Sequence, residues 1–228
     1  MKLLGLTGSI GMGKSTAAAM LRRLRLPVHD ADAAVHVLLA NGGAAVPAID
    51  AAFPGTVRDG AVDRPALGAM VFGDATALAR LEAIVHPLVR RETDRFLAAC
   101  RRRRTPVAVL DVPLLLEGGG HRHCDLVVVV SAPRRVQRQR VMARPGMTEY
   151  RLEAILAKQM PDAEKRRRAD VVIPTGLGRA VTMRRLARLV RKLRRNEGRQ
   201  CARSCSTRRP PAWIRRPATG SSKSAALS

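Results

Sequence analysis

Aromatic residues are nearly missing from this chain: one Trp, one Tyr and three Phe among 228 residues, 2% of the total. Proteins that grip single-stranded nucleic acid stack bases on such rings. Their scarcity argues against a specific nucleic-acid partner despite a net charge of +24. Acidic residues are also short, 18 against 42 Lys and Arg. Such an excess draws anionic partners, but Arg outnumbers Lys 36 to 6 and Ala is abundant, as expected when a GC-rich coding sequence drifts toward Arg and Ala codons. The charge is read as a polyphosphate site on a compositionally basic background. Four cysteines (Cys100, Cys124, Cys201, Cys205) lack the C-x-x-C spacing of a metal site, which implies free thiols in a reduced, cytoplasmic protein. No run approaches the roughly 20 apolar residues of a membrane span, and the first strand begins too early to leave room for a signal peptide. With 46% hydrophobic residues, the chain suits one globular domain.

What is present is concentrated at the start. Gly8 to Ser15 reads Gly-Ser-Ile-Gly-Met-Gly-Lys-Ser, a complete G-x-x-x-x-G-K-[ST] phosphate loop. Lys2 to Thr7 is an apolar run of strand length, and Thr16 to Leu24 carries Ala, Met and Leu at helical spacing. Strand, glycine loop and helix in this order turn the pattern into a mechanism. Gly8, Gly11 and Gly13 let the backbone from Gly8 through Met12 to Thr16 turn its N–H groups toward a triphosphate, and the helix start adds partial positive charge. Lys14 reaches the β- and γ-phosphates; the Ser15 hydroxyl can ligate Mg²⁺. The chain is expected to bind ATP.

Further along, Leu26 to Asp30 reads as a second strand ending in Asp30-Ala31-Asp32, and Ala33 to Leu39 as a helix. Arg58-Asp59-Gly60 reads as a tight turn. Asp63 is suited to cap a helix with Pro65 in its first turn. Leu78 to Ala99 is helical with an interruption at His86-Pro87. Val107 to Asp111 and Asp125 to Val130 are buried-type strands. Helices follow from Pro133 and Thr148, then a strand from Asp170 to Ile173 and an amphipathic helix from Arg179 to Arg195. This alternation implies an α/β fold with a parallel sheet covered on both faces and ligands at the strand ends. Residues 1–195 form one domain on this reading. From Asn196 apolar periodicity stops, and residues 196–228 are expected to be a disordered basic tail.

The ordered set of motifs resembles the dephospho-CoA kinase family over roughly residues 3 to 195. It comprises Gly5-Leu6-Thr7-Gly8 with the phosphate loop, Asp30-Ala31-Asp32, Asp59-Gly60 with Asp63-Arg64, His86-Pro87, Asp111-Val-Pro-Leu-Leu-Leu-Glu117, Gln139-Arg140 with Arg144, Gln159, and Ala169-Asp170. The resemblance implies a three-layer P-loop NTPase fold with a five-stranded parallel sheet, a helical acceptor-binding insertion and a lid. It implies transfer of the ATP γ-phosphate to the ribose 3′-hydroxyl of dephospho-CoA with Mg²⁺; the sequence leaves the oligomeric state open, with a monomer as the expectation. Other members of the superfamily, acting on nucleoside monophosphates or hydroxylated metabolites, share the loop without this set. An RNA-stimulated switch ATPase and an inactive binding module are the remaining alternatives.

Site roles follow from the same resemblance. Asp32 would orient the acceptor hydroxyl and take its proton, although an Asp at a strand end also serves as a helix cap. Asp30 is structural or holds a magnesium-bound water. Arg140 and Arg144 belong to a lid over ATP, where a guanidinium fork pairs with phosphate oxygens. Asp111 would hold Mg²⁺ through water. Pro113, Leu114 and Leu115 would line the acceptor pocket, with Arg64 and His86 contacting or supporting the acceptor; His86 could equally be a packing residue. The family commonly has Asn near the ATP base after its last strand, and here Thr175 would substitute.

Overall fold

A computed structural model describes residues 1–200. In chain order its elements are β1 (Lys2–Thr7), α1 (Lys14–Arg23), β2 (Val28–Asp30), α2 (Ala31–Leu39), α3 (Val46–Ala52), β3 (Val57–Arg58), β4 (Ala61–Val62), α4 (Arg64–Val71) and α5 (Ala75–Arg102). They continue with β5 (Val107–Asp111), β6 (Leu126–Ser131), α6 (Arg134–Met142), α7 (Glu149–Ala157), α8 (Asp162–Arg168), β7 (Val171–Pro174) and α9 (Arg179–Gln200).

Five strands make one parallel sheet in the order β2-β5-β1-β6-β7. Its strands are apolar on both faces because both are covered. Leu4 and Leu6 of β1, Val107 and Val109 of β5, and Val128 and Val130 of β6 pack with Ala17, Leu21, Leu186 and Val190 of α1 and α9. The alternate residues Leu3, Ala108 and Leu110 meet Leu97 and Cys100 of α5 on the other side. Period-2 alternation thus divides each strand between two cores, giving the three layers expected.

Residues 31–102 contain the helical insertion, which has a core of its own built on Leu38, Leu39, Ile49, Phe53, Val62 and Leu67. Asp59 and Gly60, both at positive φ (50° and 74°), make the two-residue turn of the β3–β4 hairpin, a backbone twist that matches the strands it joins. Asp63 Oδ1 accepts the Ala66 N–H and caps α4, with Pro65 in the first turn. The expected interruption at His86-Pro87 does not occur: α5 runs through Pro87. An internal proline costs about 3 kcal/mol. Leu81, Ile84, Val85, Leu88 and Val89 pack on the insertion core from both sides of it, and that burial holds the helix continuous.

At the other end α9 passes the expected boundary at 195 and reaches Gln200; the tail expected beyond it lies outside the described residues. No helix among the described residues is long and apolar enough to cross a membrane. Cys100 and Cys124 are free thiols; burial pushes the Cys124 thiol up to about 12, which leaves it unreactive.

Candidate active site

The parallel strands end on one side, and the phosphate loop connects β1 to α1 there. Gly13 sits at the helix cap with φ 88° and no capping side chain, so the first N–H groups of α1 are available to an anion. A Cβ on Gly13 would stand 3.2 Å from Thr175 Oγ1 and 3.4 Å from an Arg140 nitrogen; glycine serves both the left-handed backbone and the close approach. A cavity of about 580 Å³ opens over the loop. Gly8, Gly11, Gly13, Lys14, Ser15 and Thr16 line it. The Met12 side chain turns into the core instead, where its sulfur accepts the Ala132 N–H, leaving Met12 only its backbone for a ligand.

Lys14 crosses the crevice. Its Nζ donates to Asp111 Oδ1 at 2.9 Å and lies 4.0 Å from Asp32 Oδ2. Asp111, at the end of β5, is 1% exposed. Burial pushes its carboxyl above the ordinary range, aided by the charge of Asp30, while the Lys14 hydrogen bond and charge pull the other way. Asp30 is the structural member of its pair: Oδ1 accepts the Ala33 N–H and caps α2. Asp32 stands in the first turn of that helix with its carboxylate 64% exposed.

The far wall of the cavity comes from α6 and the segments after α7 and β7. Arg140 donates to Thr175 Oγ1 (3.1 Å), to the Thr175 carbonyl (2.7 Å) and to the Gly11 carbonyl (3.4 Å). Thr175 Oγ1 donates to the Met12 carbonyl at 2.6 Å, and the Thr175 N–H donates to the Ser131 carbonyl. Hydroxyl, amide and carbonyl of Thr175 are thus all engaged, making it a brace between loop and Arg140. Arg144, exposed and just beyond the end of α6, lines the same cavity.

Two glutamines hold the loop, and one of them, Gln159, also lines its cavity. Gln159 Oε1 accepts the Ile10 N–H (3.1 Å), and Gln137 Nε2 donates to the Ile10 carbonyl (2.8 Å). Gln159 stood in the sequence motifs without a role, and Gln137 was missed. Its signal was a neutral side chain at the buried position of an arginine-rich helix. Thr7 was likewise quoted without a function; its hydroxyl donates to the Pro113 carbonyl at 2.8 Å and fixes the start of the segment after β5.

A second cavity of about 410 Å³ adjoins the first, with Asp32 and Pro113 on the walls of both. Val35, Leu39, Leu67, Val85 and Val89 make it mainly apolar, and His86 and Leu114 line it as expected. Leu115 corrects the expectation. It is 3% exposed and packed with Leu116, Val127 and Val129, because the strand it covers carries Gly5: a Cβ there would meet Leu115 at 2.5 Å. Arg64 stands outside the lining of this cavity and pairs with His36 across the insertion.

A phosphate loop on a five-stranded parallel sheet, with a cationic wall and a second pocket meeting it at a carboxylate, defines a P-loop phosphotransferase. The family model for dephospho-CoA kinase matches residues 2–177. A dephospho-CoA kinase of Paramagnetospirillum magneticum is 72% identical over 166 residues, covering 73% of this chain and 78% of that protein. One from Mesorhizobium japonicum is 58% identical over 198 residues, 87% of this chain and 100% of its own length. A crystal structure from Thermus thermophilus superposes with a TM-score of 0.73 at 38% identity, covering 83% of this chain and 95% of that one. The chain belongs to the dephospho-CoA kinase family, and it is an ATP-dependent kinase.

Proposed function

We propose that this chain carries the γ-phosphate of ATP from the loop cavity to the ribose 3′-hydroxyl of dephospho-CoA held in the adjoining pocket, with Asp32 between them. The observation that carries this reading is the shared wall: Asp32 lines both cavities, with Lys14 4.0 Å from its carboxylate. Phosphoryl transfer is mostly positioning and charge stabilisation. The loop N–H groups and Lys14 hold the donor's β- and γ-phosphates. Arg140 and Arg144 place guanidinium charge along the transferring group. The Asp32 carboxylate, open to the pocket, orients the acceptor hydroxyl and accepts its proton as the new P–O bond forms. The apolar second cavity suits the acceptor's base and pantetheine arm, with His86 and Leu114 on its wall.

The donor set fits magnesium. Ser15 offers a hydroxyl on the cavity wall and Asp111 a carboxylate at the strand end, both hard oxygen donors. Among the described residues no cluster of three or more His, Cys, Asp or Glu could hold a metal alone, in keeping with an ion held mainly by the nucleotide and a few protein oxygens. When bound, Mg²⁺ neutralises charge on the β- and γ-oxygens.

The test is a coupled assay of ADP release, with dephospho-CoA, nucleoside monophosphates and RNA offered separately. Release stimulated by dephospho-CoA is expected; turnover confined to nucleoside monophosphates or to RNA refutes the assignment. Asp32→Asn should lower kcat by about 10²–10⁴-fold, the usual worth of a general base, while ATP affinity measured by calorimetry stays near the parent value. Near-normal transfer by that variant removes Asp32 from the mechanism.

A further inference from the structure

Glu117 and Lys165 form an ion pair that the chemistry above does not use. Lys165 of α8 is 0% exposed, and its Nζ lies 2.9 Å from Glu117 Oε1. Glu117 Oε1 also accepts the Met160 N–H at 3.0 Å. Neither Lys165 Nζ nor Glu117 Oε2 has a hydrogen bond of good geometry, so the pair meets at ionic distance but off the line of a straight bond. Burial alone would raise the Glu117 carboxyl; Lys165 and the Met160 N–H reverse this and hold it below the ordinary carboxylate range.

A pair with one member fully buried, the other 19% exposed and polar capacity unfilled is a poor stabiliser, and apolar replacements of similar volume often fold as well or better. Its position is more informative. Met160 follows Gln159 in the short connector between α7 and α8, and Gln159 is the residue that accepts the Ile10 N–H of the phosphate loop. The same connector packs Met160 against Leu115 and Leu116, and Asp162 just beyond it accepts the Ser131 hydroxyl at 2.8 Å. Lys165 thus fixes Glu117, Glu117 fixes the Met160 peptide, and that peptide sets the side chain that holds Ile10.

We infer that Glu117 and Lys165 are positioning residues for the phosphate loop, acting through the Met160 N–H and Gln159 rather than by touching ATP. This rests on the kinase reading, so acceptor-stimulated ADP release by the parent is established first; its absence fails that reading and leaves the pair to ATP calorimetry.

Two double variants separate position from charge. E117L/K165M removes both charges and the acceptor for Met160; E117Q/K165M removes both charges but keeps a carbonyl in that place. E117L/K165M should melt at or above the parent temperature, yet lose about 10- to 100-fold in kcat/KM for ATP, the scale of an ångström-level misplacement. E117Q/K165M should recover to within about threefold of the parent, since the bond that sets the connector remains. Q159A changes a connector residue that also lines the donor cavity, so it should lose at least as much as E117L/K165M, and the triple variant should lose no more than Q159A alone. Parent-like ATP kinetics in folded E117L/K165M overturn the inference, as do equal losses in both double variants or losses that add to that of Q159A. Should E117L/K165M fail to fold, parent-like kinetics in Q159A overturn it.

Discussion

Removing the Lys14 ammonium tests the charge balance of the crevice in a way that ordinary loss of activity does not. In the free protein Lys14 is the close partner of a carboxylate that is 1% exposed, at 2.9 Å. Lys14→Met leaves that carboxylate buried beside Asp30 with its hydrogen bond gone. Breaking a buried pair by deleting one partner costs about 3–5 kcal/mol. Lys14 keeps 14% exposure on the cavity side, where water can enter, so the lower end applies, about 3 kcal/mol. At about 2–4 °C per kcal/mol for a domain of this size, the melting temperature should fall by about 6–12 °C. The sign of the pH dependence is also determined. Burial and Asp30 already raise Asp111 above its ordinary 3.8, and Lys14 opposes them. Without Lys14 the folded state holds a proton that the unfolded chain releases, so the variant's stability falls as pH rises from 3.8 through the folded value. The loss relative to the parent should therefore shrink in acid. Lys14→Met/Asp111→Asn should recover most of the melting temperature and none of the activity. Thermal unfolding followed by circular dichroism at acid and neutral pH, with ATP calorimetry alongside, reads all of this. A Lys14→Met protein that melts with the parent at neutral pH, or a double variant no more stable than the single, refutes the reasoning.

Leu115→Ala should destabilise by about 2–5 kcal/mol, the range for truncating a buried leucine, with KM for the acceptor unchanged in the folded fraction; a selective rise in acceptor KM would return Leu115 to the pocket. His29 should give the parent an acid-sensitive stability. Burial holds its imidazole below the ordinary 6.5 against the pull of Asp30 and Glu92, while Thr93 Oγ1 lies 3.1 Å from Nε2 and the ring stacks on Phe96. The unfolded chain then binds more protons below 6.5, so stability drops as pH falls from there toward the folded value. His29→Gln should flatten that slope in denaturant titrations, and an unchanged slope would reassign it.

The sheet and the phosphate loop were legible because short-range rules govern them. Apolar runs of strand length, a glycine loop and a following helix leave few arrangements, and Asp63-Arg64-Pro65 announced its cap locally. Pro87 misled because the decisive quantity, a partly buried apolar stripe on both sides of it, depends on what α5 packs against. Leu115 misled for a related reason. Three consecutive leucines after Pro113 look equivalent in sequence, yet Leu114 is 47% exposed and the next two are 3%. The turn after β5 sends them opposite ways, and the missing side chain of Gly5 receives Leu115.

In the site, the residues that meet phosphate were readable and those that hold them were not. Lys14 and Ser15 are dictated by what a triphosphate needs. Gln137, Gln159 and Thr175 act on Ile10, Met12 and Arg140 through bonds that join residues 127 and 149 apart in sequence for Ile10 and 163 apart for Thr175 and Met12; no spacing rule reaches that far. The division has a physical cause. A phosphate loop offers backbone N–H groups to its ligand, so its carbonyls and outward amides must find partners elsewhere. Those partners come from whichever later elements the parallel sheet lays beside it. In this chain they are α6, the connector between α7 and α8, and the segment after β7, which ties the shape of the donor cradle to the helix that carries Arg140.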